Sequence, residues 1–175
     1  MGYYVKISKS SLTIAASTKP SIYKVWCDLN DLKYNAQKRG GSWSSGGQAS
    51  WNYSWMDEDY PSSCQTMEEI LDMLGFEFTV TEKGDIKDLK YENKTGQEQI
   101  FFKALAPYIT RPALINWRGE DGARYSWIFG DGKFFECDPE QAQAKLKEFK
   151  IQKEKKKLEK LVSPVSSPMP EVHKL

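Results

Sequence analysis

Alternating hydrophobic and polar positions predict that strands form much of this chain. Residues 3–8 and 76–81 alternate with the period of two that is typical of half-buried strands. Further along, Asp121-Gly122 and Asp131-Gly132 separate three short runs rich in aromatic and β-branched residues. Asp-Gly suits a type I′ turn, because both central residues of that turn have positive φ. The pattern therefore predicts a three-stranded antiparallel meander over residues 113–137.

Apolar positions at helical spacing predict four helices between these strands. The first begins at Pro20, and the last begins with Pro139 at its first helical position. Two capping boxes, Thr66 to Glu69 and Thr95 to Glu98, predict where the second and third helices begin. We therefore expect an α+β fold, in which an antiparallel sheet of N-terminal strands, a hairpin and the meander carries helices on one face and is followed by a C-terminal basic helix.

Charge is distributed unevenly along the chain. The net charge is +1, yet residues 150–175 contain seven lysines and three glutamates, which leaves a net charge of −3 on the first 149 residues. The apolar positions of the last helix also thin out after Lys150, and three prolines lie beyond Ser163. We expect a single α+β domain over residues 1–149, a basic helical extension over 150–162 and a disordered Pro/Ser tail over 163–175.

Several kinds of catalytic chemistry lack the residues that they need. The one histidine, His173, lies in the predicted tail, so Ser-His-Asp and Cys-His catalysis and histidine zinc sites are not expected. The three cysteines, Cys27, Cys64 and Cys137, are far apart and form no Cys-x-x-Cys motif. We expect no catalytic residue, no cofactor and no metal, and we interpret the chain as a non-enzyme.

Two weaker motifs leave alternatives open. Asp57, Glu58 and Asp59 would suit Mg²⁺ as ligands, but adjacent carboxylates are also typical of a solvated loop. The glycine-rich residues 40–47 lack the Gly-Lys-Ser/Thr ending of a phosphate-binding loop, which favours a flexible loop. Without a signal peptide, and with no apolar run near the roughly 20 residues that span a bilayer, the chain is predicted to be cytoplasmic and not bound to a membrane.

Residues 34–61 show no clear period and are rich in Ser, Gly, Trp and Tyr. Aromatic side chains on a long loop suit partner recognition or stacking on bases, although the same residues would also serve as core or lid. The alternation of Trp51, Tyr53 and Trp55 favours a strand whose odd positions face inward. The candidate partner-binding residues of this segment are Trp43, Trp51, Tyr53 and Tyr60.

A lysine run near the end of the chain is the second candidate surface. It suits contact with an acidic protein or with nucleic acid, and it is also typical of a solvated helix end whose lysines complement the helix dipole. Its candidate residues are Lys153, Lys155, Lys156, Lys157 and Lys160.

Short motifs are spread over residues 1–137: Met1-Gly-Tyr-Tyr4, Gly40-Gly-Ser-Trp43, Trp55-Met-Asp57, Leu74-Gly-Phe-Glu-Phe78, Ala104-Leu-Ala-Pro-Tyr108, and Trp117-Arg-Gly-Glu-Asp-Gly122 with Trp127-Ile-Phe129 and Asp131-Gly-Lys133. Together they resemble a group of small uncharacterised proteins of bacteriophages, mobile elements and bacteria. The resemblance implies a cytoplasmic, phage-encoded accessory protein and carries over no activity, cofactor or catalytic residue.

Two hypotheses for function follow. The first is a non-catalytic, phage-type accessory protein that binds a host or phage macromolecule, with a protein as the expected partner. Its role would be in host takeover or anti-defence. The alternative is a nucleic-acid-binding module that uses the C-terminal lysines for phosphates and the Trp/Tyr loop for stacking. The sequence leaves the oligomeric state open.

Overall fold

The computed structural model describes residues 2–162 and has the α+β architecture that the sequence predicts. The strands are β1 (Tyr4–Ser10), β2 (Trp43–Ser44), β3 (Gly47–Gln48), β4 (Glu77–Val80), β5 (Ile86–Lys90), β6 (Glu92–Lys94), β7 (Ala113–Gly119), β8 (Arg124–Gly130) and β9 (Lys133–Cys137). The helices are α1 (Lys19–Asp28), α2 (Tyr60–Ser63), α3 (Met67–Met73), α4 (Glu98–Leu105) and α5 (Pro139–Val162). Short 3₁₀ helices span Ala16–Thr18, Leu32–Gln37 and Ala106–Tyr108.

A five-stranded antiparallel sheet in the order β6-β1-β7-β8-β9 forms the centre of the fold. The predicted meander supplies its last three strands, and β1 joins it through a bulge between Ile7 and Lys9. Two separate hairpins, β2-β3 and β4-β5, complete the strands. The hairpin expected from the alternation of residues 76–81 is therefore confirmed, but it forms a two-stranded sheet of its own instead of part of the main sheet.

The two turns of the meander differ from each other. Asp131 and Gly132 both have positive φ, 53° and 72°, and link β8 to β9 as the predicted type I′ turn. Between β7 and β8, only Gly122 has positive φ, and its N–H donates to the carbonyl of Gly119. The connection there is the four-residue loop 120–123, so the prediction of a type I′ turn at Asp121-Gly122 is wrong.

The two faces of the sheet carry different layers. Ile115, Trp117 and Phe129 point into the main core, which buries side chains of α1, α2, α3 and α4. Alternate positions Leu114 and Ile128 point to the other face, where α5 covers them. The predicted helices α1, α3 and α4 thus share one face, together with the short helix α2, which was not predicted. Helix α5 packs on the opposite face, which the sequence pattern did not indicate.

Helix α5 runs without a break from Pro139 to Val162, across the predicted boundary at residue 150. Ala142, Leu146 and Phe149 face the sheet, and the ring of Phe149 lies 5.9 Å from that of Phe135. Residues 150–162 are all exposed. The predicted Pro/Ser tail, residues 163–175, lies outside the described residues.

Candidate functional site

The aromatic loop, which we define as residues 38–59, is held at its base by the buried side chain of Gln97. Its Oε1 accepts the N–H groups of Arg39 at 3.0 Å and Ser54 at 3.1 Å. Its Nε2 donates to the carbonyl of Gln37 at 2.5 Å. Because one amide satisfies backbone groups near both ends of the loop, these ends are fixed against the start of α4. The sequence offered no sign of this role for Gln97.

Glu98, next to this amide, does not form the predicted capping box. Its Oε1 accepts from the hydroxyl of Tyr91 and the N–H of Gly96, both at 2.7 Å, and Gln97 caps α4 without a side-chain hydrogen bond. At Thr66 the N-cap half of the box forms, since Thr66 Oγ1 accepts the N–H of Glu69 at 3.2 Å, whereas the Glu69 carboxylate accepts the N–H of Gln65 instead of that of Thr66. Glu98 is therefore a buried carboxylate with structural partners.

Two of the predicted contact residues, Tyr53 and Tyr60, lie in the core. Both are 0% exposed, and both rings pack edge-on against Phe101, at centroid distances of 5.2 and 5.8 Å. The Tyr53 hydroxyl donates to the carbonyl of Leu29 at 2.8 Å, and that of Tyr60 donates to the carbonyl of Trp26 at 2.5 Å. Their assignment to a partner-binding surface is therefore wrong, because each phenol is fully satisfied inside the domain.

The loop nevertheless exposes aromatic side chains. Trp43, on the β2-β3 hairpin, is 77% exposed, and Trp51 is half-buried. Trp55 was expected to face inward with Tyr53, but it is 59% exposed. Its positive φ of 69° breaks the strand-like alternation after Tyr53 and turns the side chain outward. The exposed aromatic pair of this loop is thus Trp43 and Trp55.

The lysines of α5 divide into groups with different surroundings. Lys153 donates to the carbonyl of Thr110 at 2.6 Å, and Lys156 pairs with Asp131 at 3.0 Å. The ion pair with Lys156 lowers the pKa of Asp131. These two lysines continue the docking face of the helix, so they fasten α5 to the end of the sheet.

Helical geometry sorts the exposed positions of residues 150–162 into two stripes, one of which includes Lys153. Successive residues of an α-helix are about 100° apart around its axis, so residues three, four and seven positions apart lie on one side of the helix. The lysine stripe, which lies along one edge of the docking face, consists of Lys150, Lys153, Lys157 and Lys160. The apolar stripe, on the side opposite to the sheet, consists of Ile151, Leu158 and Val162. Lys155 lies beside the apolar stripe rather than in the lysine stripe.

The two candidate surfaces do not meet. The aromatic loop is anchored in the main core through Tyr53, while α5 packs on Leu114 and Ile128 from the other face of the sheet. The fold therefore does not bring the C-terminal lysines and the Trp/Tyr loop together in one surface.

Groups that would support covalent or metal chemistry are dispersed. Burial raises the pKa of the Cys27, Cys64 and Cys137 thiols, which disfavours the nucleophilic thiolate. Asp57, Glu58 and Asp59 are exposed. Within residues 2–162, no cluster of three or more His, Cys, Asp or Glu side chains has a spacing suited to a metal ion.

Comparisons with known proteins give no relative to set beside this geometry. No protein-family model matches the chain, and neither a curated protein nor a solved structure matches it. Over residues 2–162, no helix has the length and apolar character needed to cross a membrane.

Proposed function

We propose that the chain is a non-catalytic interaction protein that binds a macromolecular partner through the free end of α5. The observation that carries this proposal is the continuation of α5 through residues 150–162 with every residue exposed. An isolated helix of that length is marginal in water. A helix that extends beyond its docking site and still presents Ile151, Leu158 and Val162 to solvent suits a second packing surface.

The two stripes of α5 define the chemistry of the partner. An amphipathic helix binds by placing its apolar side in a hydrophobic groove. Burying the exposed surface of Ile151 and Leu158, which are 56% and 59% exposed, would contribute about 1–2 kcal/mol for each side chain. Lys155, which lies beside the apolar stripe, favours a groove with an acidic rim. The best-suited partner is therefore a protein with an apolar groove bordered by carboxylates.

The biological setting in this proposal rests on the sequence motifs. Their resemblance to small phage and mobile-element proteins supports a phage-type accessory role, in host takeover or in anti-defence. A cytoplasmic location belongs to the same proposal, and it is supported by the three free cysteines, since disulfides are rare in that compartment.

Affinity purification with matched variants tests the proposal. The full chain and an Ile151→Glu/Leu158→Glu variant are used as baits in lysate of the host cell, with Leu32→Glu/Val80→Glu as the control. Leu32 and Val80 are also exposed, at 81% and 49%, but lie outside α5. We expect a protein that is retained by the wild type and the control and lost from the α5 variant. Equal capture by all three baits would contradict the proposal.

The nucleic-acid alternative now involves the lysine stripe without the Trp/Tyr loop. The lysine stripe offers cations three and four residues apart on one side of a helix, which suits a row of phosphates. Nuclease treatment of the purified complexes distinguishes the two candidates, because only a nucleic-acid tether is lost. Light scattering on the free protein tests for self-association through the apolar stripe. A dimer that the α5 variant does not form would show that the partner is a second copy of this chain.

A further inference from the structure

On the sheet face that carries α5, the helix packs on Leu114 and Ile128, and Lys6, Arg118 and Arg124 remain exposed. In the register of the sheet, Lys6 of β1 lies opposite Arg118 of β7, and Arg118 lies opposite Arg124 of β8. Opposite residues of antiparallel neighbours project from the same face, with Cβ atoms about 4.5–5.5 Å apart. The three exposed side chains therefore form one cationic row across three adjacent strands.

The cationic row forms no ion pair within residues 2–162. Across residues 2–162, no carboxylate oxygen lies within 4.0 Å of the charged nitrogens of Lys6, Arg118 or Arg124. Glu92 stands opposite Lys6 on the other side, in β6, without forming an ion pair. Like charges that face each other across strands destabilise a sheet. Three adjacent cations lower the stability of the sheet, so binding of an anionic ligand explains their presence better than folding does.

An aromatic side chain lies next to the cationic row on the same face. Tyr4 is two residues before Lys6 in β1 and is 46% exposed, and Lys94 of β6 has its Nζ 5.8 Å from the centre of the Tyr4 ring. A depression of about 360 Å³ runs between Tyr4, Lys6 and Arg118. That volume lies within the range of small-ligand sites, which begins at about 300 Å³. Glu92 and Glu120 also line it and balance the charges of Lys6 and Arg118, so the excess positive charge of this face lies at Arg124, opposite Arg118 and beside the depression.

We propose that this open sheet face binds single-stranded nucleic acid, with the cationic row on the phosphates and Tyr4 against a base. Arginine presents a planar fork of donors that suits phosphate oxygens, and two arginines stand side by side here. Proteins that bind single strands combine such a charged track with exposed aromatic rings. The exposed ring beside the row favours this ligand over an acidic peptide, which needs only the charges. The inference goes beyond the proposed function and uses a surface separate from the apolar stripe of α5.

Fluorescence anisotropy with a labelled 20-nucleotide oligothymidylate tests this site. The full chain is compared with Lys6→Gln/Arg118→Gln/Arg124→Gln and with the control Lys24→Gln/Lys83→Gln/Lys87→Gln, which removes the same charge from exposed positions on α1 and the β4-β5 hairpin. We expect the row variant to bind at least tenfold more weakly at low salt and the control to stay within about twofold of the wild type. Because the row variant neutralises three fewer phosphates, its slope of log affinity against log salt should be flatter by about 2.

Further variants keep the result interpretable. Tyr4→Ala should weaken binding about tenfold without changing the salt slope, since stacking carries no charge. Arg124→Gln alone, the most conservative change in the row, should still weaken binding severalfold if the triple variant does not fold. Relief of the like charges predicts that the triple variant melts at or above the wild-type temperature.

Several outcomes would overturn the inference. The inference is wrong if the wild type does not bind the oligonucleotide, or if the row variant and the control lose the same affinity. Competition by polyglutamate as effective as that by unlabelled oligonucleotide would indicate an acidic protein instead, and preference for a duplex would exclude the single-stranded assignment. The Ile151→Glu/Leu158→Glu variant should retain oligonucleotide binding, so a failure of this site is distinguishable from a failure of the α5 proposal.

Discussion

The ring of Phe149 in α5 lies directly against the backbone of Gly130 at the end of β8. A Cβ built on Gly130 would come within 2.3 Å of Cγ of Phe149. The absence of a side chain at Gly130 therefore allows α5 to approach the sheet closely, beside Leu146. This contact is the last packed point of the helix before its exposed half begins.

Substituting Gly130 with alanine should lower the free energy of unfolding by about 1–3 kcal/mol, because the added methyl group overpacks this contact. Thermal and urea denaturation would measure the loss. In a Phe149→Ala background the same substitution should cost far less, since the ring that meets the methyl group is gone. Equal costs in the two backgrounds would show that Gly130 is not required by the packing of α5.

The phenols of Tyr53 and Tyr60 should contribute to stability rather than to binding. Tyr53→Phe and Tyr60→Phe each leave a buried carbonyl, that of Leu29 or Trp26, without its donor. The expected loss is about 1–3 kcal/mol for each substitution. Trp43→Phe serves as the control and should change stability by about 0.5 kcal/mol or less, because Trp43 is exposed. A larger effect of Trp43→Phe than of the two tyrosine variants would reverse this assignment.

The sheet and its main helices could be predicted because their signals are local. Alternation predicts β1 and β4, the Asp131-Gly132 pair predicts a tight turn, and Thr66 with Glu69 predicts the start of α3. Each of these signals depends on residues that lie close together in the chain. The face on which α5 packs depends instead on which side of β8 remains uncovered, and that is decided by contacts between distant segments.

The aromatic loop could not be predicted from its composition for the same reason. Tyr53 and Trp55 have the same spacing and similar chemistry, yet one is buried and the other exposed, because a positive φ at Trp55 reverses the alternation. Gln97, which fixes the loop, is 43 residues beyond Ser54 and occupies a position of the predicted capping box that carries no sequence requirement. Arg118 and Arg124 flank one turn and are predicted to face each other across it, whereas Lys6 joins them only through the strand register, so the complete cationic row could not be predicted.

The positive φ of two turn glycines should make them sensitive to β-branched residues. Gly122→Val and Gly132→Val should each destabilise the fold by about 1–3 kcal/mol, although a Cβ at either position meets no close neighbour. The cost therefore comes from backbone conformation alone. Gly46→Val, in the β2-β3 turn without positive φ, is the control for both. Melting temperatures that are unchanged in both variants would contradict the turn geometry.

Truncation after Gln152 should separate the folding role of α5 from its role in binding. The docked part of the helix ends at Phe149, and Lys153 and Lys156 attach the remainder only through exposed contacts, which are worth little to stability. We therefore expect the truncated protein to melt within a few degrees of the full chain. Its binding to an acidic partner should weaken, and the salt dependence of that binding should flatten, because most of the lysine stripe is removed.

A truncated protein that unfolds would show instead that residues 153–162 pack as a core element, against the exposure of Leu158 and Leu161. A truncated protein that folds and binds its partner unchanged at every salt concentration would exclude α5 as the contact surface. The exposed pair Trp43 and Trp55 would then be the leading candidate on the other face of the sheet, and Trp43→Ala/Trp55→Ala would be the variant that abolishes binding. The truncation thus assigns partner binding to one face of the sheet or the other, because the fold keeps the two surfaces apart.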